Sequence, residues 1–127
     1  MKKILTLFVL ALLMFGCEKD EPIKIKEGSV VFWTDESAVD FLHKQNVKTL
    51  LFYVDNEFVG SCASGQYWSQ APACGGNGTI TVTKKLGNAS SLSYEYYVKD
   101  EYGFTRWRGI INFVDNTCTQ MRLGSSN

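Results

Sequence analysis

The sequence predicts an all-β domain, a sandwich of about seven antiparallel strands with one short helix. Short runs rich in Val, Ile, Thr, Tyr, Phe and Trp recur from about residue 29 towards the end of the chain. Clusters of Asp, Asn and Gly separate these runs. Short strands at regular spacing, with turn residues between them, are typical of sandwiches and barrels.

Seven segments have the strand pattern. They are Ser29–Trp33, Thr49–Asp55, Glu57–Cys62, Thr79–Lys84, Ser91–Lys99, Thr105–Val114 and Thr117–Leu123. Alternate residues of a strand point to opposite faces, so each segment has an inward and an outward set. The inward sets that we expect are Leu92, Tyr94, Tyr96 and Val98 in the fifth segment and Trp107, Gly109, Ile111 and Phe113 in the sixth.

The turns between these segments contain residues that tolerate a positive backbone φ. They are Asp55-Asn56, Gly87-Asn88, Tyr102-Gly103 and Asp115-Asn116. Asn, Asp and Gly are the residues that tight hairpin turns favour. We therefore expect the strands on either side of each turn to pair as a hairpin.

One segment, Glu36–Lys44, has a helical pattern. Thr34 or Asp35 can cap its start, and Ala38, Phe41 and Leu42 form a short apolar stripe at helical spacing. We expect this helix to form a lid over one end of the sandwich.

The number and length of the strands are typical of immunoglobulin-like and transthyretin-like sandwiches.

The first sixteen residues have the layout of a sorting signal. Lys2 and Lys3 precede an apolar run, Ile4–Phe15, and Gly16 is a small residue directly before Cys17. The run is shorter than the ~20 residues that a membrane-spanning helix needs. It resembles a bacterial lipoprotein signal peptide, which implies cleavage after residue 16 and lipid attached to the Cys17 thiol. The alternative is an ordinary secretory peptide that is cut at another bond.

Lipidation predicts a protein that is stably anchored to a membrane, because two or more acyl chains hold a protein on a bilayer. We expect this membrane to be the outer membrane. The charged run Glu18–Glu21 resembles the surface-export tag of Bacteroidetes lipoproteins. Such a tag would place the protein on the cell surface, whereas a charged run that is only a solvated tether would leave it on the periplasmic face. Both locations stay open. Residues 17–28, with Pro22, are expected to form the lipidated cysteine and a flexible tether, and residues 29–127 the folded domain.

The mature chain of 111 residues is long enough for one domain. Loss of the two signal lysines leaves eleven basic against thirteen acidic residues, a net charge of about −2. Proteins that bind the phosphate backbone carry clustered Lys and Arg, and no segment here has such a cluster. We expect no nucleic-acid partner.

Three cysteines remain after Cys17 is assigned to lipid: Cys62, Cys74 and Cys118. Outside the cytoplasm at most one disulfide can form among them within the chain. The chain-entropy model gives a stabilisation of roughly 4 kcal/mol for a disulfide between Cys74 and Cys118 and roughly 3 kcal/mol for one between Cys62 and Cys74. This difference is too small to decide which disulfide forms. The cysteines lack the close paired spacing of structural zinc sites, and we expect no metal.

Several short motifs together resemble a group of small uncharacterised Bacteroidetes lipoproteins. The motifs are Val54–Gly60, Ala71–Gly75, Gly78–Val82, Trp107–Gly109 and Cys118–Leu123. The first of them is also similar to the hairpin of PEGA-type domains, which are small β-sandwich modules of envelope proteins. The resemblance implies a compact sandwich, a disulfide between Cys74 and Cys118, and no enzymatic activity. Cys62 is an addition to this pattern.

No motif predicts catalysis, and we expect this protein not to be an enzyme and to use no cofactor. His43 is the only histidine and lies beside charged residues of the predicted helix. Cys62 and His43 could in principle act as nucleophile and base, yet no catalytic-cysteine signature surrounds Cys62. Gly75–Gly78 leads into a strand, so it lacks the helix N-terminus of a phosphate-binding loop.

A loop of roughly sixteen residues holds Tyr67 and Trp68, large amphipathic side chains of the kind found at binding hot spots. The alternative is that one or both pack over an open end of the sandwich. Tyr97 and Arg106 on outward faces could extend a binding surface. We expect a non-catalytic envelope protein that binds a protein or glycan. The alternative is an inhibitor of a host enzyme such as lysozyme, because Ala63–Tyr67 is similar to an inhibitory loop of small lipoproteins.

Overall fold

A computed structural model describes residues 25–124. Seven strands and one helix follow each other along this part of the chain. They are β1 (Lys26–Thr34), α1 (Glu36–Lys44), β2 (Thr49–Val54), β3 (Glu57–Ala63), β4 (Ile80–Gly87), β5 (Ser91–Asp100), β6 (Thr105–Val114) and β7 (Cys118–Leu123). The mostly β composition and the single helix are confirmed. The predicted signal peptide, Cys17 and most of the tether lie outside the described residues.

The strands form two sheets. One has three strands in the order β4-β1-β7, and the other has four in the order β3-β2-β5-β6. The expectation of an entirely antiparallel sandwich is wrong at one pair, because β7 runs parallel to β1 with Ser29 opposite Cys118. The chain leaves β6 and crosses to the other sheet at the end where β1 begins, so both strands run in the same direction.

Two of the four expected hairpins are also corrected. Gly87 and Asn116 do adopt positive φ, at 60° and 53°. However, β4 and β5 belong to different sheets, and so do β6 and β7. These turns therefore carry the chain between sheets. The Asp55-Asn56 and Tyr102-Gly103 turns do connect paired strands, β2 with β3 and β5 with β6.

The core lies between the sheets, and the expected inward sets are confirmed. Val98, Ile111 and Phe113 are fully or almost fully buried, and Tyr96 is 9% exposed. Leu92, Tyr94 and Trp107 pack at the margin of the same cluster. The inward position of Gly109 leaves room for the Tyr96 ring, since a Cβ at this position would lie 3.0 Å from that ring. Burial of this apolar surface supplies most of the driving force for folding.

The strand β1 begins three residues earlier than the pattern predicts. Lys26–Gly28, expected in the tether, pair with the end of β4. Gly28 explains the extension, because a Cβ at this position would lie 2.5 Å from the Val114 carbonyl oxygen. Only glycine lets the two sheets approach this closely here.

The sandwich has two unlike ends. At the entry end the chain starts β1, and the Asn116 N–H donates to the Glu27 carbonyl. At the distal end β1 passes into α1, which connects the two sheets. The Asp35 side chain caps α1 by accepting from the Ala38 N–H, and Ala38 and Leu42 are buried. The helix therefore closes the distal end, as its amphipathic pattern predicts.

Candidate functional site

The long loop between β3 and β4 lies across the outer face of the three-stranded sheet; we call residues 64–79 the strap. It starts at the distal end, where the Trp68 N–H donates to the Thr34 carbonyl. Further along, the Gln120 amide donates to the carbonyl of Pro72, and the Gly75 N–H donates to Thr81. These contacts flank Val31, which is fully buried although it alternates with the core residues of β1.

A disulfide joins the strap to β7. Cys74 and Cys118 are bonded, with their Cα atoms 5.9 Å apart. The pairing that the resemblance implies is thus confirmed, and Cys62 is free. Cys62 lies on β3, opposite Leu50 at the margin of the core, so it cannot reach the strap's cysteine on the outer face of the other sheet.

Tyr67 and Trp68 lie at the distal end, where the strap leaves β3. Tyr67 is 50% exposed. Trp68 is half-buried and lines a crevice of about 10 Å³ between the sheets, together with Cys62 and Ile80. A volume of that size is about one water molecule. The two aromatics therefore differ: Trp68 packs partly against the sandwich, while Tyr67 faces solvent.

Both aromatics also line an open groove of about 490 Å³, which we call the distal groove. Its other walls come from the start of α1 and from Ser69. The wall on α1 consists of Asp35, Glu36, Ser37 and Asp40. The groove thus combines aromatic surface with carboxylates and hydroxyls, a combination that can hydrogen-bond a polar ligand and pack against its apolar parts.

Asp35 is the one carboxylate of this groove that is engaged within the described residues. It accepts hydrogen bonds from the Ala38 N–H, the Ser37 hydroxyl and the Arg122 guanidinium. These contacts, the first above all, lower the pKa of Asp35. Glu36 and Asp40 have no ion-pair partner in residues 25–124. They leave the groove acidic.

The turn between β5 and β6 forms the other side of the distal end. Asp100 is fully buried there and accepts from the N–H groups of Tyr102 and Phe104 and from Arg106 Nε, the last at 2.8 Å. Burial alone raises the pKa of Asp100, but these hydrogen bonds outweigh it and hold the pKa below the ordinary value. The rigid turn leaves Tyr102 and Phe104 more than half exposed.

Glu101 fastens this turn to the start of β2. Its carboxylate accepts from the N–H groups of Lys48 and Thr49 at 2.8 and 3.0 Å. Asp100 and Glu101, two adjacent acids that could suggest acid–base chemistry, are thus both occupied by hydrogen bonds from the backbone. Their arrangement holds the turn in place.

Cys62 and His43 do not have the surroundings of a catalytic pair. His43 is exposed on the last turn of α1. Burial raises the pKa of the Cys62 thiol to about 11, which disfavours the reactive thiolate. Across residues 25–124 no group of three or more His, Cys, Asp or Glu side chains is placed to hold a metal ion. In the same part of the chain no helix is long and apolar enough to cross a membrane.

We expect the Cys62 thiol to resist alkylation in the native protein. At pH 7.5, iodoacetamide should label it at least tenfold more slowly than the same thiol in urea, because little thiolate forms and the side chain is half-buried. Mass spectrometry of timed samples measures the rate. Labelling at equal rates in both conditions would show that the thiol is accessible in the native protein and would contradict this expectation.

A second surface escaped the sequence patterns. On the outer face of the four-stranded sheet, Phe58, Tyr53, Tyr97 and Arg108 lie directly opposite one another on adjacent strands. Alternation within each strand assigns these residues to outward faces, but only the register between strands brings them into one row. We call them the aromatic row.

Comparison of the chain with protein-family models, with curated proteins and with solved structures gives no match.

Proposed function

We propose that this protein is a non-catalytic, lipid-anchored protein of the outer membrane that recognises a protein or glycan partner through its distal groove. The observation that carries the proposal is the position of the groove. Tyr67 and the free carboxylates of α1 lie at the end opposite the one where the chain enters β1. A lipid on Cys17 attaches the protein through the entry end, so the groove lies at the end of the domain farther from the attachment point.

The rest of the molecule supports binding rather than catalysis. The raised pKa of Cys62 and the exposed position of His43 do not favour a nucleophile and base pair. The strap is held by a disulfide and by hydrogen bonds at several points. A rigid loop that presents an exposed aromatic loses little conformational entropy on binding, which is typical of recognition sites.

Within the all-β sandwiches, we propose an immunoglobulin-like or transthyretin-like domain related to PEGA-type modules. Support comes from the sheets of three and four strands and from the Val54–Gly60 turn region, in which the Asp55-Asn56 turn joins β2 to β3.

Photo-crosslinking at Tyr67 in intact cells tests the binding proposal. With p-benzoylphenylalanine in place of Tyr67, ultraviolet light should produce one discrete adduct with a protein or glycan. The matched control places the same group at Asn88, which is exposed at the entry end. Equal adducts at both positions, or none at position 67, would contradict a partner at the distal groove. Tyr67 is a better probe than Trp68, because loss of the half-buried indole also destabilises the fold.

Inhibition of a host enzyme is the alternative proposal, because Gly65, Gln66 and Tyr67 are exposed at the same end. Stoichiometric addition of the protein should then abolish lysozyme activity, and Tyr67→Ala should restore it. A flat titration would remove this alternative and leave the binding proposal untouched.

A further inference from the structure

The aromatic row is a continuous line of side-chain contacts across all four strands of its sheet. The rings of Tyr53 and Tyr97 stack with centroids 4.8 Å apart and planes inclined by 16°. Phe58 meets Tyr53 edge-on at 5.7 Å, and the Arg108 guanidinium lies 5.7 Å from the Tyr97 centroid. Three strand spacings make the row about 14 Å long.

This stacking decides which chemistry the row presents to solvent. Because Tyr53 and Tyr97 cover one face of each other's rings at roughly the strand spacing, both rings stand upright on the sheet. Upright rings present their edges and phenolic hydroxyls. A ring edge carries partial positive charge and a hydroxyl can donate a hydrogen bond, so the two tyrosines favour an electron-rich ligand.

The charges around the row act in the same direction. Lys99 lies two residues after Tyr97 on the same face of β5. Its ammonium is 5.2 Å from the centroid of the Tyr97 ring and 5.7 Å from that of the Tyr53 ring. Among residues 25–124 it has no carboxylate partner. Within residues 25–124 the one ion pair of Arg108 is with Glu95, at 3.4 Å, and both side chains are exposed, so the pair is weak. Lys99 and Arg108 outnumber the single carboxylate of Glu95 around the row, on a chain whose formal net charge is zero, so this local excess of positive charge complements an anionic ligand.

We propose that the outer face of the four-stranded sheet binds an acidic polysaccharide along the aromatic row. The carboxylates of the polymer pair with Lys99 and Arg108, its hydroxyls bond to the phenols of Tyr53 and Tyr97, and the C–H face of a sugar packs on Phe58, which is 57% exposed. The proposal relies on the proposed function only for the location of the protein in the cell envelope.

A polysaccharide suits this face better than an acidic protein. A uronic acid unit carries an apolar C–H face, hydroxyls and a carboxylate within one ring, and the row presents the complement of all three along a flat surface. An acidic peptide has no sugar ring, so it does not present a C–H face, hydroxyls and a carboxylate on one rigid unit. Peptides commonly bind a sheet by adding a strand to its exposed edge, a mode that does not use the face.

Binding to immobilised polygalacturonate tests the proposal, with the full-length lipidated protein in non-ionic detergent. We expect saturable binding that weakens with salt, and no binding to neutral dextran. The double variant Lys99→Gln/Arg108→Gln should bind at least tenfold more weakly, since each removes a charge-assisted contact. Tyr97→Phe, which removes only a hydroxyl, should bind a few-fold more weakly.

Controls separate the site from general charge effects. Lys85→Gln, which removes one positive charge at an exposed position of β4, should bind as the wild type does, whereas the single variant Lys99→Gln, with the same charge change, should already bind more weakly. The distal groove is tested separately by the crosslink at position 67, so a failure of the groove and a failure of this face are distinguishable. Absence of polygalacturonate binding, an equal loss in Lys85→Gln, or equal affinity for polyglutamate would overturn the proposal, the last because it would indicate an acidic protein ligand.

Discussion

Replacing both Cys74 and Cys118 with serine is expected to lower the free energy of unfolding by about 4 kcal/mol. The two residues are 44 positions apart, so the disulfide closes a long loop and greatly restricts the unfolded chain. Of a typical total stability of about 5–15 kcal/mol, this is a large fraction. Release of the strap also removes the cover from Val31, which adds to the loss.

Urea denaturation at pH 7, followed by tryptophan fluorescence, measures this effect. Cys62→Ala is the matched control and should cost no more than about 1 kcal/mol, because it leaves the disulfide intact and removes only a half-buried thiol. Dithiothreitol should reproduce the loss in the wild type and change nothing in the double variant. A double variant within 1 kcal/mol of the wild type would contradict the stabilising role of the disulfide.

The second large effect is expected for Asp100→Asn, a loss of about 3 kcal/mol. The change leaves the Arg106 guanidinium without its carboxylate, and breaking a buried ion pair on one side costs about 3–5 kcal/mol. The lower end of that range applies because the Arg106 side chain is 19% exposed. Glu95→Gln, which breaks the exposed pair with Arg108, is the matched control and should cost no more than about 0.5 kcal/mol.

The pH dependence of that loss provides an independent check. The folded-state pKa of Asp100 lies below its ordinary value of 3.8, so the carboxylate stabilises the fold at pH values above 3.8. As the pH falls through the lowered pKa, both folded and unfolded states are protonated and the contribution disappears. The difference between wild type and Asp100→Asn should therefore be constant from pH 8 to about 5 and shrink below about 4. A difference that grows in acid would contradict this assignment.

Near-neighbour patterns predicted most of the individual elements. The helix begins and ends where its cap and apolar stripe indicate, and the strands agree with their patterns to within three residues at every end. The inward faces of β5 and β6 are also as predicted. These features depend on side-chain alternation and on backbone preferences within a few residues, and such information is present in any short window of the chain.

The candidate sites were predictable only in part. Tyr67 and Trp68 drew attention through their residue type and the length of their loop, but their different exposure depends on how the strap folds back over β1. The aromatic row as a whole gave no signal in the sequence, although alternation places Tyr97 on an outward face. Tyr53 and Phe58 lie on one predicted hairpin, but only the register of four strands aligns this pair with Tyr97 and Arg108.

The local chemistry of this chain is sufficient to define its strands, its helix, the φ angles of its turns and the polarity of each face. The tertiary structure alone establishes which strands are neighbours. Gly87 and Asn116 bend the chain as their residue types require, yet the bends lead into the opposite sheet, and β7 returns parallel to β1. The physical reason is that strand pairing and the burial of Val31 arise from contacts between distant segments, whose free energy no local pattern contains.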